Sequence, residues 1–435
     1  MKFRAVGIVS VMMCTASAAL AEPLEKEIER LLETHPQIRA AQSNLAASES
    51  GIDAAFADFL PKISFSGQYG YDYIDSPGRR SAEPDGTEIS AVPRKVGFSM
   101  TQTVFNGFAN QANNETAQLS RDAADISLNA VSQNVAMSGV VAYLQLLRDI
   151  MLLELSRASE SNVQRQLELE DERVRRGSGI TVDVLQAKSR LQSAKERRVS
   201  LEGELENSRS RFEQVFGAMP DIASMVMPTP PLDILPTELD EAISVAVARN
   251  PSLAQTTVNV EIARTQQDTA AAAYYPTVDL VTEWNFEDDF NGTLGTRRDA
   301  KASLQLNWQF FDGFATDANV NSAVKRFHAS VDEEAFARRS VVEGVRLAWQ
   351  GLQTARKRVG LLQNAVNISS EVWDSRKRLR EAGNETVINV LDAESEVFSV
   401  RINLVTAQHD ARVAVYQLLL AIGDLVPSNL NTARN

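Results

Sequence analysis

One cysteine and three histidines in 435 residues leave little raw material for thiol, disulfide or metal chemistry. Glycine, at 21, and proline, at 14, are both scarce, and aromatic residues make up only 6%. Ala, Ser, Gln, Glu, Arg and Leu dominate instead, which is the composition of long helices. Positive charge is also in deficit, because 44 Lys+Arg face 57 Asp+Glu and the formal net charge is −13. A protein that grips nucleic acid needs a basic face, so no nucleic-acid partner is expected. No Ser/His/Asp set, glycine-rich phosphate loop or metal-ligand cluster is visible, so the chain is expected to be no enzyme and to carry no cofactor and no metal. Long apolar runs are missing as well: beyond residue 21 none approaches 18 consecutive residues.

What is present begins with a compartment signal. Met1-Lys2-Phe3-Arg4 is a basic start, Ala5 to Leu20 is mostly apolar, and Ala19-Leu20-Ala21 places small residues before Glu22. Residues 1–21 therefore read as a secretory signal peptide. Its removal deletes Lys2, Arg4 and Cys14, taking the formal charge from −13 to −15 and leaving no cysteine. Met13 stands where a lipidation signal wants a small residue, so Cys14 is not read as a lipoprotein site.

An internal repeat organises the rest. His35-Pro36 recurs as Asn250-Pro251, and Leu60-Pro61 recurs as Tyr275-Pro276, both at an offset of 215. Phe105-Asn106-Gly107-Phe108 recurs as Phe311-Asp312-Gly313-Phe314, Gly177 as Gly383, Val184-Leu185-Gln186-Ala187 as Val390-Leu391-Asp392-Ala393, and Phe216-Gly217 as Ile422-Gly423, all at 206. Six landmarks in one order predict a tandem duplication, with a first repeat over 22–217 and a second over 239–423. The proline-rich segment 218–238 separates them, because prolines interrupt a helix, and 424–435 is a tail. Each repeat is expected to run helix, strand, strand, long helix, helix.

Strands are expected at about 61–74 and 94–105 in the first repeat, and at about 276–287 and 300–311 in the second. In each, apolar and polar residues alternate over about 10 positions with aromatics near the ends, the pattern of a membrane β-barrel strand. Long helices are expected at about 107–176 and 180–217, then at about 313–382 and 386–422. Val390, Ala393, Val397, Val400, Leu404, Ala407, Ala411, Ala414, Leu418 and Ala421 recur at steps of three and four, a heptad seam. A second seam through Leu391, Phe398, Ile402, Val405, Tyr416 and Leu419 runs beside it, as befits a helix with a neighbour on each side. Four strands cannot close a barrel, and an open sheet edge cannot lie in lipid. Three chains supply twelve strands, so a homotrimer embedded in outer-membrane lipid is the expected assembly.

The ordered, twice-repeated set of His/Asn-Pro, Leu/Tyr-Pro, Phe-Asn/Asp-Gly and Gly-x5-Asp/Asn-Val-Leu-Gln/Asp-Ala resembles the TolC family of outer-membrane efflux and secretion channels over about residues 24–423. The resemblance implies a mainly α protein with a membrane β-barrel: a trimer whose 12-stranded barrel sits on a long α-helical barrel in the periplasm. It also implies docking to an inner-membrane ABC or RND transporter through a periplasmic adaptor (membrane fusion) protein. Tyr274-Tyr275-Pro276, Trp308 to Gly313 and Leu379 to Thr386 look like members that serve type I secretion, including adhesin and RTX-type export, and that branch is preferred over multidrug efflux. A soluble periplasmic coiled-coil adaptor is the alternative of another class; it accounts for the heptads but not for four alternating strands.

By the same resemblance, the hairpin tips form the periplasmic entrance and dock the adaptor, through Arg176, Gly177, Ser178, Gly179, Val184 and Leu185 in one tip and Gly383, Asn384, Val390 and Leu391 in the other. A periplasmic gate is implied at Asp183, Arg380, Glu385, Asn389 and Asp392. Arg380 to Asp183 is the expected tip-to-tip pair; the family's two carboxylates of the constricting ring fall on Asn389 and Asp392, so only one is acidic here. Glu287, Asp288 and Asp289 are expected in a solvated acidic loop between strands. His35, His328 and His409 lack partners for catalysis in the sequence pattern.

Overall fold

The computed structural model describes residues 24–75, 89–290 and 294–426; the expected signal peptide and the last part of the tail lie outside the described residues. Helix α1 (Leu24–Thr34) was not foreseen, although Leu24, Ile28 and Leu31 form a buried stripe at i, i+4 and i+7. It stops before Pro36, which opens α2 (Pro36–Phe56) at a position needing no N–H. The second repeat does the same with α5 (Leu239–Arg249) and α6 (Pro251–Ala271). There Asn250 caps α6, its side-chain oxygen accepting from Ser252 N at 2.9 Å and Leu253 N at 3.4 Å. Short 3₁₀ turns, Ala57–Phe59 and Ala272–Tyr274, then lead into the strands.

The strand expected over 61–74 is two strands, β1 (Lys62–Tyr69) and β2 (Asp72–Ile74), with β2 pairing with β3 (Ile89–Ala91) and β1 with β4 (Arg94–Phe105). The break falls where Gly70 N donates to Pro93 O at 3.2 Å: Pro93 has no N–H to return, so the ladder is interrupted there. The second repeat supplies β5 (Thr277–Asp288) and β6 (Thr296–Asn307). Thus the strand expected at 300–311 is displaced. Asn307 pairs with Thr277, the first residue after Pro276, so Trp308 to Phe311 have no strand beside them to pair with. The sheet order is β1-β4-β5-β6, antiparallel throughout.

Register sorts the sheet into two faces. Rows such as Phe65–Phe98–Trp284–Ala300 and Ile63–Met100–Thr282–Ala302 make an apolar face. The alternate rows, Ser64–Ser99–Glu283–Lys301 and Gln68–Lys95–Glu287–Arg297, make a polar one. The apolar side chains are exposed, Tyr69 by 75% and Leu304 by 71%. Among the described residues, both outer strands, β1 and β6, keep an unpaired edge.

After β4 the chain turns through Asn106-Gly107-Phe108 into α3 (Ala109–Arg175), and after β6 through Asp312-Gly313-Phe314 into α7 (Ala315–Glu381). Gly107 and Phe108 are both left-handed, at φ 66° and 68°. A Cβ on Gly107 would stand 2.5 Å from Ala272 O, so only glycine fits. Helices α4 (Thr181–Phe216) and α8 (Val387–Ala421) complete the chain. Of the heptad positions in α8, Val390, Val397, Leu404, Ala407, Ala414 and Leu418 are buried, and of the parallel seam Leu391, Phe398, Tyr416 and Leu419. An 18-residue stretch of α3 is apolar and long enough to cross a membrane by composition, yet most of it is buried inside this chain. Its interior contacts explain why: Gly139 lies against Ile28 and Leu31 of α1 and Phe216 of α4.

The chain divides into two compact units, neither of which is one repeat. One unit, Pro36–Ser132 with Asp240–Val345, holds the four-stranded sheet together with α2, α6 and the first parts of α3 and α7. Thr116 of α3 and Thr265 of α6 share a hydrogen bond of 2.7 Å there, joining the repeats. The other unit comprises the described parts of Met1–His35, Gln133–Leu239 and Arg346–Asn435, and holds both hairpin tips.

Candidate functional site: the paired hairpin tips

Each tip is closed by the same local chemistry. Helix α3 ends on Arg173 and Arg175, cations suited to the negative end of its dipole, and α7 ends on Arg378 and Arg380. Gly177 takes φ 80° and Gly383 φ 81°. In the first tip Gly177 N donates to Val174 O and Ser178 N to Arg173 O, each at 3.0 Å; in the second Gly383 N donates to Arg380 O at 3.1 Å and Asn384 N to Leu379 O at 2.9 Å. Gly179 follows in the first tip, where a Cβ would come within 3.0 Å of Val174 N. Thr386 caps α8 by accepting from Asn389 N at 3.4 Å. The duplicated glycines thus make two equivalent turns.

Between the tips lies a charged network. Arg380 reaches Asp183 at 3.7 Å, but its nearer acceptor is Glu170, to which Nη2 donates at 2.7 Å. Glu170 also accepts from Arg173 at 2.9 Å and is only 1% exposed. Arg380 Nη1 donates in addition to Glu385 O at 2.9 Å. Glu385 does not reach the other tip: its carboxylate accepts from Asn389 Nδ2 at 2.6 Å and from Thr386 N at 2.9 Å. Those two hydrogen bonds, Asn389 first, hold Glu385 below the usual carboxylate range. Asp392 is paired as well, accepting from Arg190 of α4 at 2.6 Å. That pair is about half exposed on both sides, so its contribution to stability is about 0–1 kcal/mol.

Several residues differ from the sequence reading. Val184, Val390 and Leu391 are buried within the hairpins, because the helical period turns Val184, Ala187 and Leu191 inward and Leu185 outward. Leu391, Val387, Ala187, Leu191 and Val163 form one apolar cluster beneath the tips. Arg176, Gly177, Ser178, Leu185, Gly383 and Asn384 are exposed. Exposed Ile180 and Val182 extend that apolar surface and were not singled out from sequence. Glu170 and Arg190 were missed too. Glu170 carried a signal, a charge at i+7 from Val163 on a buried stripe, whereas nothing local marks Arg190 as a partner of Asp392. In the other unit, Glu287 and Asp288 end β5 rather than forming a loop; Glu287 pairs with Lys95 at 2.9 Å and Asp288 accepts from Thr296 at 3.2 Å. Asp289 accepts from Gly295 N at 2.7 Å.

The profile of the outer membrane efflux protein family matches residues 28–218 and 242–424, one match to each half. The chain belongs to the outer membrane efflux protein family. Among curated relatives of this family, the outer membrane efflux protein BepC of Brucella suis is 23% identical over 97% of this chain and 90% of its own length. The outer membrane protein TolC of Escherichia coli is 23% identical over 94% and 85%. The alkaline protease secretion protein AprF of Pseudomonas aeruginosa is 22% identical over 92% and 84%. The solved structure of the outer membrane protein VceC from Vibrio cholerae superposes with a TM-score of 0.79 at 17% identity, covering 92% of this chain and 96% of that one. The outer membrane efflux proteins are channels, not enzymes, and this chain is an outer-membrane channel. A trimeric barrel is consistent with its fold, mainly helical with a small sheet that has one apolar and one polar face.

Proposed function

We propose that this channel is the exit duct of a type I protein secretion system, carrying adhesin or RTX-type polypeptides. It works as a homotrimer with a periplasmic adaptor protein and an inner-membrane ABC transporter. The support is the charge pattern of the polar sheet face. Lys62, Lys95, Arg297 and Lys301 alternate there with Asp279, Glu283, Glu287 and Asp299, so a barrel lumen built from it is polar without favouring either sign. A polypeptide with segments of both charges meets no electrostatic trap on such a wall. The relative named for alkaline protease secretion agrees with this reading. The second reading, the outer-membrane component of a tripartite multidrug efflux pump with an RND transporter, is favoured by the relative named for efflux.

In this reading the tips are the periplasmic entrance. Glu170, Asp183 and Arg380 hold the two hairpins of one protomer together, with Glu385, Asn389 and Asp392 around them. The exposed tip residues Arg176, Gly177, Ser178, Leu185, Gly383 and Asn384, with the partly exposed Gly179, meet the adaptor. The tandem repeats over 22–217 and 239–423 are two copies of one ancestral unit joined at 218–238. Deleting the gene and measuring both a secreted polypeptide and drug susceptibility tests the branch. Loss of the polypeptide from the medium with unchanged susceptibility is the expected outcome; the reverse pattern assigns the channel to efflux.

A further inference from the structure

A buried carboxylate stands at a seam position of α8 where coiled-coil packing calls for an apolar side chain. Glu394 follows Leu391 by three residues and Val387 by seven, so it lies on the face that carries the apolar cluster under the tips. It is 4% exposed, and neither Oε1 nor Oε2 has a well-formed hydrogen bond among the described residues, although the Asn162 side chain of α3 lies close enough to favour the charged form. An ionised carboxylate left in that state costs several kcal/mol, while a protonated one costs much less.

The surroundings offer little to offset the charge. Helix α3 contributes Asn162, and α7 contributes Lys377; both favour the charged form, but burial outweighs them. Lys377 is also drawn to the ring of Trp373, at 5.9 Å from its centroid, and Trp373 Nε1 is itself buried without a partner. Helix α4 presents Ala187 and Leu191 to the cluster, while Arg190 is engaged with Asp392, Arg197 lies over the ring of Phe398 and Arg198 pairs with Glu160. Arg380 is committed to Glu170 and Asp183.

We propose that Glu394 is a proton-operated brace of the entrance hairpins: when neutral it lets α8 pack against α3 and α7, and when ionised it loosens that packing and favours opening. This rests on the reading of the tips as the entrance. Burial pushes the Glu394 carboxyl from its ordinary 4.5 up to about 7. A raised carboxyl stabilises the packed form fully below pH 4.5; that contribution declines as pH rises and is lost by about pH 7. The switch therefore works between about pH 4.5 and about pH 7.

The test is the open probability of purified trimers in planar bilayers from pH 5 to pH 8, for the wild type, Glu394→Gln and the latch variant Glu170→Gln. The wild type is expected to open at least tenfold more often at pH 8 than at pH 5, since each unit of the rise from 4.5 to about 7 corresponds to a tenfold change. Glu394→Gln, nearly isosteric and always neutral, is expected to keep the low-pH behaviour throughout, which also separates it from any titration of His35 or His409. An unchanged pH profile in Glu394→Gln, or no pH dependence in the wild type, overturns the brace. If Glu170→Gln opens the channel in the same experiment, the entrance reading survives that failure; if it does not, the entrance reading falls with it. Hydrogen exchange of residues 387–400, faster at pH 8 than pH 5 after correction for intrinsic rates only in the wild type, supports the brace independently of conductance; equal corrected rates overturn it.

Discussion

Arg380 has a choice of two carboxylates, and burial decides between them. Asp183 lies 3.7 Å away, beyond hydrogen-bond distance, whereas Glu170 accepts at 2.7 Å and is almost wholly enclosed. A hydrogen bond to a charged group contributes about 1.5–3 kcal/mol, and removing one partner of a buried pair costs more than the pair contributes. Glu170→Gln is therefore expected to raise the conductance of purified trimers roughly tenfold, and Asp183→Asn by much less. Equal effects in single-channel recordings would return the latch to Asp183. The residue numbers also show what local pattern can and cannot reveal. Asp183 and Arg380 were expected as a pair through the family resemblance, and the sequence itself marked them only as charges near the two glycine turns. Glu170 stands in sequence at i+7 from Val163, which marks a buried position but names no partner. Only the approach of α7 makes it the shared acceptor. Arg190 was illegible for the same reason: its partner Asp392 is 202 positions away.

At the scale of elements, alternation and register divide the work. Alternation in the sequence marks which side chains share a face, but it does not say where a ladder stops. Pro93 and Pro276 settle that, by withholding an N–H at the ends of β4 and β5, and so they split the first strand and displace the last. The apolar face, once assembled, is covered by none of the described residues, and an aromatic-rich sheet face left exposed calls for lipid. Leu304 and Gln305 are adjacent in β6 but lie on opposite faces. Leu304→Lys is expected to cost about 2–4 kcal/mol in the membrane, whereas Gln305→Lys is tolerated. The yield of heat-modifiable oligomer in outer-membrane fractions reads the difference; equal loss in both would argue against a lumen-facing polar side. The helices are simpler. Their seams were readable over many heptads because every turn repeats the same apolar requirement, and α1 and α5 escaped notice only because they are 11 residues each.

For the whole molecule, one chain is an incomplete object. Among the described residues its sheet keeps an open edge on β1 and another on β6, and neither can be left unpaired in a bilayer. Detergent-extracted protein is expected to have three times the mass of the processed chain by light scattering, the full 435-residue chain being 47.8 kDa, and a detergent-free monomer would refute the barrel. Sequence alone determined the compartment expected for the chain, the duplication, the class of fold and the two glycine-closed tips, since each depends on residues close together or on a period repeated many times. Tertiary structure alone decided the acceptor of Arg380, the partner of Asp392, the inward burial of Val184, Val390 and Leu391, and the isolation of Glu394. Those depend on which helices meet and at what rotation, because the energy of a charge is set by what surrounds it rather than by its neighbours along the chain.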